Sequence, residues 1–287
     1  MSAAATLKAL LTRDEIIMAP GAADPLTARL VEQAGFPSVY MTGFGATASR
    51  LGLPDLGLLT QTEMTEHARN MTNAVGIPVI ADADTGYGGP NNIHRTVREY
   101  VQAGVAAIHL EDQVSPKRCG QLAGVRLVDA AESVLRLRCA IEARGNDELL
   151  IIGRTDALPA QGIDEAVRRA KMYQDAGVDL VFVDGIKRIA EVEAVAHAVS
   201  GPKVVSIVDG NETTALTASD LQSMGFDVVF YAVSALFSAV KSIADTLAVL
   251  RETGTPAGRA DAMMSYADFA KIVGLLDLQQ RADKFGG

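Results

Sequence analysis

The 287 residues carry 35 acidic against 26 basic side chains, a formal net charge of −9, and a hydrophobic fraction of 48%. With no basic block interleaved with aromatics and no apolar run long enough for a bilayer, a nucleic-acid or membrane partner is excluded. Two cysteines cannot staple a chain of this size and no charged-then-apolar leader opens it, so a reducing, cytoplasmic setting is expected.

In chain order, eight short runs rich in β-branched residues can be read as strands: Ile16 to Ala19, Ser38 to Met41, Val79 to Ala81, Ala107 to Leu110, Leu149 to Ile152, Leu180 to Val183, Lys203 to Ser206 and Asp227 to Phe230. Most follow a glycine, and the segments between them have helical apolar spacing. Several of those segments carry start signals: Asp24 before Pro25, and the capping boxes Thr60 with Glu63 and Asp129 with Glu132. Strands that are apolar on both faces and alternate with helices make parallel sheet. Eight such units predict a closed (β/α)8 barrel of the TIM type. An open doubly wound sheet is the alternative, but no Gly-x-Gly-x-x-Gly follows the first strand. Long inserts, Thr42 to Gln61 and Gln113 to Leu127, interrupt the rhythm, and long loops in compact domains are usually functional. After the last strand come a helix pattern from about Ala232 to Arg251 and an amphipathic segment around Tyr266 to Phe285. The expected organisation is one barrel domain over residues 1–287, with a helical extension from about residue 256.

In such a barrel the reacting groups stand at the C-terminal strand ends. Asp82 and Asp84 are alternate residues, so in extended backbone both carboxylates face one side. With Glu111 from the next strand they form an all-oxygen set suited to Mg2+, or Mn2+, rather than zinc; strand capping and turn formation are the plainer roles for either aspartate alone. Thr42, Gly43 and Phe44 open a turn with free N–H groups, a small anion nest. Arg154 is read either as a clamp for a carboxylate or as an ion-pair partner of Asp156. The stretch Glu111 to Gly120 places Cys119 directly after Lys117 and Arg118, which would favour its thiolate. His109 shares parity with Glu111 and is read as a core histidine one layer below.

The segments Asp82-Ala-Asp-Thr-Gly-Tyr-Gly88 and Glu111-Asp-Gln-Val-Ser-Pro-Lys-Arg-Cys-Gly120 closely resemble the isocitrate lyase and phosphoenolpyruvate mutase superfamily. Met41-Thr-Gly-Phe-Gly45 and Leu51-Gly-Leu-Pro-Asp-Leu-Gly57 resemble its branch of 2,3-dimethylmalate lyase, methylisocitrate lyase and carboxyphosphonoenolpyruvate mutase. The resemblance implies a barrel whose eighth helix is exchanged between subunits of a homotetramer. It implies Mg2+ held by Asp82, and through water by Asp84 and Glu111, and a small carboxylate substrate bound by Thr42, Gly43 and Arg154. It also implies Cys119 as general acid on a gating loop with Lys117, Arg118 and Gly120, while Asp55 and Tyr40 match residues near the metal and the pocket wall. Gln121 stands where the family lyases place histidine, Asp184 where they place glutamate, and Ile207 and Gly210 where Asn and Glu are usual. Those departures imply an acid smaller or more apolar than isocitrate or methylisocitrate.

Three functions follow from this reading. The first is a Mg2+-dependent carbon-carbon lyase that cleaves an alkylmalate-like 2-hydroxy dicarboxylate to a 2-oxo acid such as pyruvate plus a carboxylate. The second is a mutase-like or oxaloacetate-processing enzyme on the same scaffold. The third is a non-catalytic 2-oxo-acid-binding protein.

Overall fold

Each of the eight apolar runs becomes a strand, because a short stretch with both faces apolar is stable only when covered on both sides. The strands are β1 Ile17–Ala22, β2 Val39–Met41, β3 Val79–Asp82, β4 Ala107–Glu111, β5 Leu150–Thr155, β6 Leu180–Val183, β7 Lys203–Ile207 and β8 Val228–Tyr231. Each pairs in parallel with the next and β8 pairs with β1, so the expected closed barrel is borne out in this computed structural model, which describes residues 1–286.

The helices that cover the sheet are α1 Ala3–Leu11, α2 Pro25–Gln33, α3 Gly43–Leu51, α4 Gln61–Ala74, α5 Pro90–Ala103, α6 Ala130–Arg144, α7 Ala157–Gln161, α8 Ile163–Ala176, α9 Ile189–Ala198 and α10 Ala218–Ser223. Strand alternation sorts the apolar side chains into two layers. Tyr40, Ile80, Ile152, Phe182, Val204 and Phe230 fill the barrel, whereas Met41, Ile108, Ile151, Val181 and Val205 pack outward under the helices. Each fully buried aliphatic side chain contributes about 1.5–3 kcal/mol relative to exposure.

The start signals hold with one correction. Asp24 accepts the Thr27 N–H at 2.8 Å ahead of Pro25, and Thr60 with Glu63 forms a capping box. Asp129 caps α6 through the Ala131 N–H at 2.8 Å, but Glu132 turns outward to Arg136 rather than back to the cap. The insert after β2 is part helix, since Thr42 caps α3.

By contact density the chain divides into two units, Met1–Ser234 and Ala235–Gly287. The second comprises nearly all of α11 Ser234–Thr253, together with α12 Tyr266–Ile272 and α13 Leu275–Lys284. The amphipathic segment expected as one piece is broken at Gly274, whose φ of +68° lies in the left-handed region that ends helices. Along α11, Phe237, Val240, Ile243, Leu247 and Leu250 recur at helical spacing as an exposed apolar stripe. Among the described residues, no helix is long and apolar enough to cross a membrane.

Candidate active site

The C-terminal strand ends gather an unusual density of buried charge. Among the described residues, the buried carboxylates Asp55, Asp82, Asp84, Glu111, Asp156 and Asp184 cluster at this end of the barrel around the buried cations Lys117 and Arg154. Register explains part of the grouping: Glu111 and Arg154 are cross-strand partners, so their side chains lie together, and Arg154 Nε is 3.3 Å from Glu111 Oε2.

Below them the barrel supplies an aromatic floor. Tyr40 stacks on Phe230 at 4.1 Å between centroids, Phe182 meets Phe230 edge-on, and the Arg154 guanidinium lies 5.5 Å from the Phe182 ring centre. Tyr40 Oη and His109 Nε2 are 2.9 Å apart. Burial lowers the His109 pKa to about 4, so it stands neutral in the core, as parity suggested. Burial likewise keeps the Tyr40 phenol protonated.

Asp82 ends β3. Contrary to expectation, Asp84 does not continue the extended face of Asp82, because the strand stops at Asp82 and Asp84 takes a φ of +47°. Its N–H instead donates to Asp82 Oδ1 at 2.9 Å, and the turn still brings the two carboxylates to one place. Burial works against the charge on Asp82, but His109, Lys117, Arg154 and the Asp84 N–H outweigh it and hold its pKa below the usual range. Burial, aided by Asp82 and Asp55, pushes Asp84 up to about 7. Tyr100 pins the local backbone by donating to the Asp82 carbonyl at 2.8 Å.

The insert after β4 lies folded over the site. Lys117 is buried and reaches both Asp55 and Asp84 at 2.8 Å. Burial opposes its charge, yet Asp84, Asp82, Glu111 and Asp55 together hold the ammonium firmly protonated. The Cys119 N–H donates to the Asp55 carbonyl at 3.1 Å, and Gln121 Nε2 donates to Asp184 at 3.4 Å. Arg118 is half-buried and donates to Ala123 within the loop, outside the charged cluster. The expectation of a thiolate is corrected here. Burial drives the Cys119 pKa up to about 11, with Asp184 and Asp55 adding to it, and Lys117 is committed to the aspartates. The group is a protonated thiol.

Gly120 is where the loop comes closest. A Cβ there would lie 2.4 Å from Asp156 Oδ1 and 2.6 Å from Asp184 Oδ2, closer than real contacts allow. Gly120→Ala is therefore expected to hold the loop off its seat and lower kcat roughly tenfold or more with an unchanged melting temperature, as steady-state kinetics and thermal unfolding would show. Gly43 meets a similar limit, since its Cβ would fall 2.4 Å from Asp82 Oδ2. Thr42 turns its hydroxyl to the Gly45 N–H as the cap of α3, and Phe44 is half-buried in the first turn.

Asp156 was read only as an ion-pair partner, and Gln113 was not singled out, although both belong to the site. Asp156 accepts from Arg154 Nη2 at 2.9 Å and from Gln113 Nε2 at 3.1 Å, and burial raises it to about 6. Parity could have found them: Asp156 is two residues beyond Arg154, and Gln113 two beyond Glu111. Asp112 points the other way. It anchors the outer layer by accepting from Thr155, the Asp156 N–H, Arg169 and Tyr173. At the β7 end Ile207 is buried in the outer layer, Asp209 accepts from Ser234, and Asn211 caps the turn Glu212–Ala215.

Among the described residues, no three His, Cys, Asp or Glu side chains converge as ligands of one metal ion, because Lys117 draws Asp84 aside and Arg154 draws Glu111. A tight tripod of Asp82, Asp84 and Glu111 is thus not formed. The residues still fit a hard divalent cation. The donors are all oxygen, negative charge exceeds positive, and both oxygens of the buried Glu111 carboxylate lack a hydrogen-bond donor. Mg2+ commonly takes one or two carboxylates and completes its shell with water.

A family model for phosphoenolpyruvate phosphomutase matches residues 7–251. The chain belongs to that family. Within the phosphoenolpyruvate phosphomutase family, the 2,3-dimethylmalate lyase of Eubacterium barkeri is 40% identical over 280 residues, covering 98% of this chain and 97% of the relative. An oxaloacetate acetylhydrolase, solved with the inhibitor 3,3-difluorooxalacetate, superposes with a TM-score of 0.93 at 36% identity, over 100% of this chain and 98% of that one. A phosphonopyruvate hydrolase, solved with oxalate and Mg2+, superposes with a TM-score of 0.90 at 30% identity, over 100% of both chains. The superfamily expected from Asp82–Gly88 and Glu111–Gly120, and the branch of 2,3-dimethylmalate lyase, methylisocitrate lyase and carboxyphosphonoenolpyruvate mutase expected from Met41–Gly45 and Leu51–Gly57, are borne out.

Proposed function

We propose that this protein is a Mg2+-dependent carbon-carbon lyase that cleaves a substituted 2-hydroxy dicarboxylate of the alkylmalate type into a 2-oxo acid such as pyruvate and a second carboxylate. The observation that carries the reading is a loop thiol, kept protonated, on a segment folded over a buried carboxylate cluster. The likeness to 2,3-dimethylmalate lyase supports the substrate class.

In this reading Asp82, Asp84 and Glu111 would hold the metal. When bound, a divalent cation there would supply Lewis-acid stabilisation of the charge that develops on the forming oxo acid. The substrate carboxylate lies against the N–H groups of Gly43 and Phe44, the Thr42 hydroxyl and the Arg154 guanidinium, whose Nε is ion-paired with Glu111 at 3.3 Å but completes no hydrogen bond in the protein. The hydroxyl proton passes to the carboxylate cluster as the carbon-carbon bond breaks. Cys119 then protonates the carbon that carries the electron pair away, and the closed loop keeps water from that carbanion. Lys117 locks the loop to Asp55 and Asp84, Gly120 permits the close fit, and Gln121 with Asp184 bounds the far end of the pocket. Tyr40 forms part of its floor. Arg118, bonded within the loop, acts only by shaping it.

A second reading, oxaloacetate hydrolysis, is favoured by the oxaloacetate acetylhydrolase likeness. A substrate panel separates the two. With Mg2+ present, 2-oxo acid release from 2-alkylmalates is expected to exceed turnover of oxaloacetate at least tenfold in kcat/KM; oxaloacetate consumption with no alkylmalate cleavage would favour hydrolysis. We further propose a cytoplasmic homotetramer in which the apolar stripe of α11 is covered by exchange with another subunit.

A further inference from the structure

We propose that Gln113 is a positioning residue that holds the gating loop closed and ties its closure to the substrate-binding arginine. The side chain is almost wholly buried, at 1% exposure, and makes three hydrogen bonds across the loop seam. Its Oε1 accepts the Arg118 N–H at 3.0 Å, while Nε2 donates to the Arg118 carbonyl at 2.8 Å and to Asp156 Oδ2 at 3.1 Å. Asp156 in turn accepts from Arg154 Nη2 at 2.9 Å. One amide thus pairs with the loop backbone as a strand would, and passes the connection on to Arg154 through a single carboxylate.

Only an amide meets this demand. The three partners require one acceptor and two donors in a plane, which glutamate, lysine and aliphatic side chains each lack. The reversed amide would set its oxygen against the Arg118 carbonyl and the Asp156 carboxylate, so the network assigns the orientation. When the loop lifts, Gln113 loses both bonds to Arg118 and a buried amide is left with one partner, which opposes opening. The base of the loop is fixed independently, by the Gln113–Leu127 bridge and the Val114 N–H to the Arg126 carbonyl at 2.8 Å, so the Gln113 side chain acts on the loop tip.

The inference rests on the proposed function insofar as turnover requires the closed loop, but its main test needs no substrate. In the full-length protein, trypsin reaches the bonds after Lys117 and Arg118 only when the loop opens. Gln113→Met and Gln113→Glu are expected to speed cleavage at those bonds roughly tenfold or more while leaving other tryptic sites at their native rates. In the alkylmalate assay both should lower kcat at least about tenfold with KM changed less than about threefold. Loop cleavage at the native rate in both variants, or equal acceleration at every site, would overturn the proposal. Hydrogen exchange of the Arg118 amide in the unmodified protein decides the matter even if neither variant folds: slow exchange supports it, and exchange at the rate of the exposed loop residues overturns it. If the native protein releases no 2-oxo acid, the functional reading fails while the proteolysis still decides the role of Gln113.

Discussion

Cys119→Ser is expected to lower kcat by roughly 10²–10⁴-fold while the protein folds and binds a 2-oxo acid as before, the range removed with a positioned general acid. Burial raises the thiol pKa from 9.0 to about 11, so the sulfur carries its proton throughout the neutral range. A serine hydroxyl of similar size keeps the shape but gives up its proton far less readily. The pH profile follows with a definite sign. A thiol whose pKa is raised on folding keeps its proton, and the stability linked to it, below pH 9, and loses both as pH rises through about 11. The native rate should therefore show no alkaline fall at pH 9 attributable to Cys119; steady-state rates between pH 7 and 10, with loop closure checked by proteolysis, measure this. A fall centred on 9 would mean that the thiol is not buried as described.

Arg154→Met is the second large effect, on stability as well as on activity. The arginine lies 6% exposed, 2.9 Å from Asp156 and 2.6 Å from Asp184, with Glu111 at 3.3 Å. Removing it strands three buried carboxylates beside Lys117 alone, and breaking a buried ion pair in this way costs about 3–5 kcal/mol. Thermal unfolding should fall by roughly 6–15 °C on the scaling for chains of this size. Asp156, already raised to about 6, should rise further once the guanidinium is gone. A carboxylate raised on folding contributes stability that is present below its unfolded pKa and lost as pH climbs through its folded one, so the variant's deficit should shrink between pH 7 and pH 5. Arg154→Lys should restore part of the stability and little of kcat/KM, since a point charge cannot replace the fork of donors. Unfolding midpoints at the two pH values and kcat/KM for each variant check these outcomes.

The barrel was legible because its signal is simple. Gly35, Gly104, Gly177 and Gly225 stand before runs such as Leu180–Val183, and such runs alternating with amphipathic segments can only be buried parallel strands. Asp82, Glu111 and Arg154 were legible for the same reason, as polar residues ending apolar runs. What escaped depends on contacts between loops. The left-handed turn at Asp84 leaves no mark in composition, and the Cys119 pKa is set by burial and by Asp55 and Asp184, which are remote in sequence. Neighbouring Lys117 and Arg118 pointed to a thiolate because sequence adjacency was read as spatial adjacency. Gln113 and Asp156 lay at the right parity, but an uncharged amide and a residue read as a salt-bridge partner carry no signal until the loop is seen seated on them.

One measurement tests the central claim most directly: both fragments released from a single 2-alkylmalate, quantified together with Mg2+ present, after chelation, and after Mg2+ is restored. The account predicts equal amounts of a 2-oxo acid and a carboxylate, lost on chelation and regained with the metal. Unequal fragments, or cleavage indifferent to the divalent cation, would contradict it.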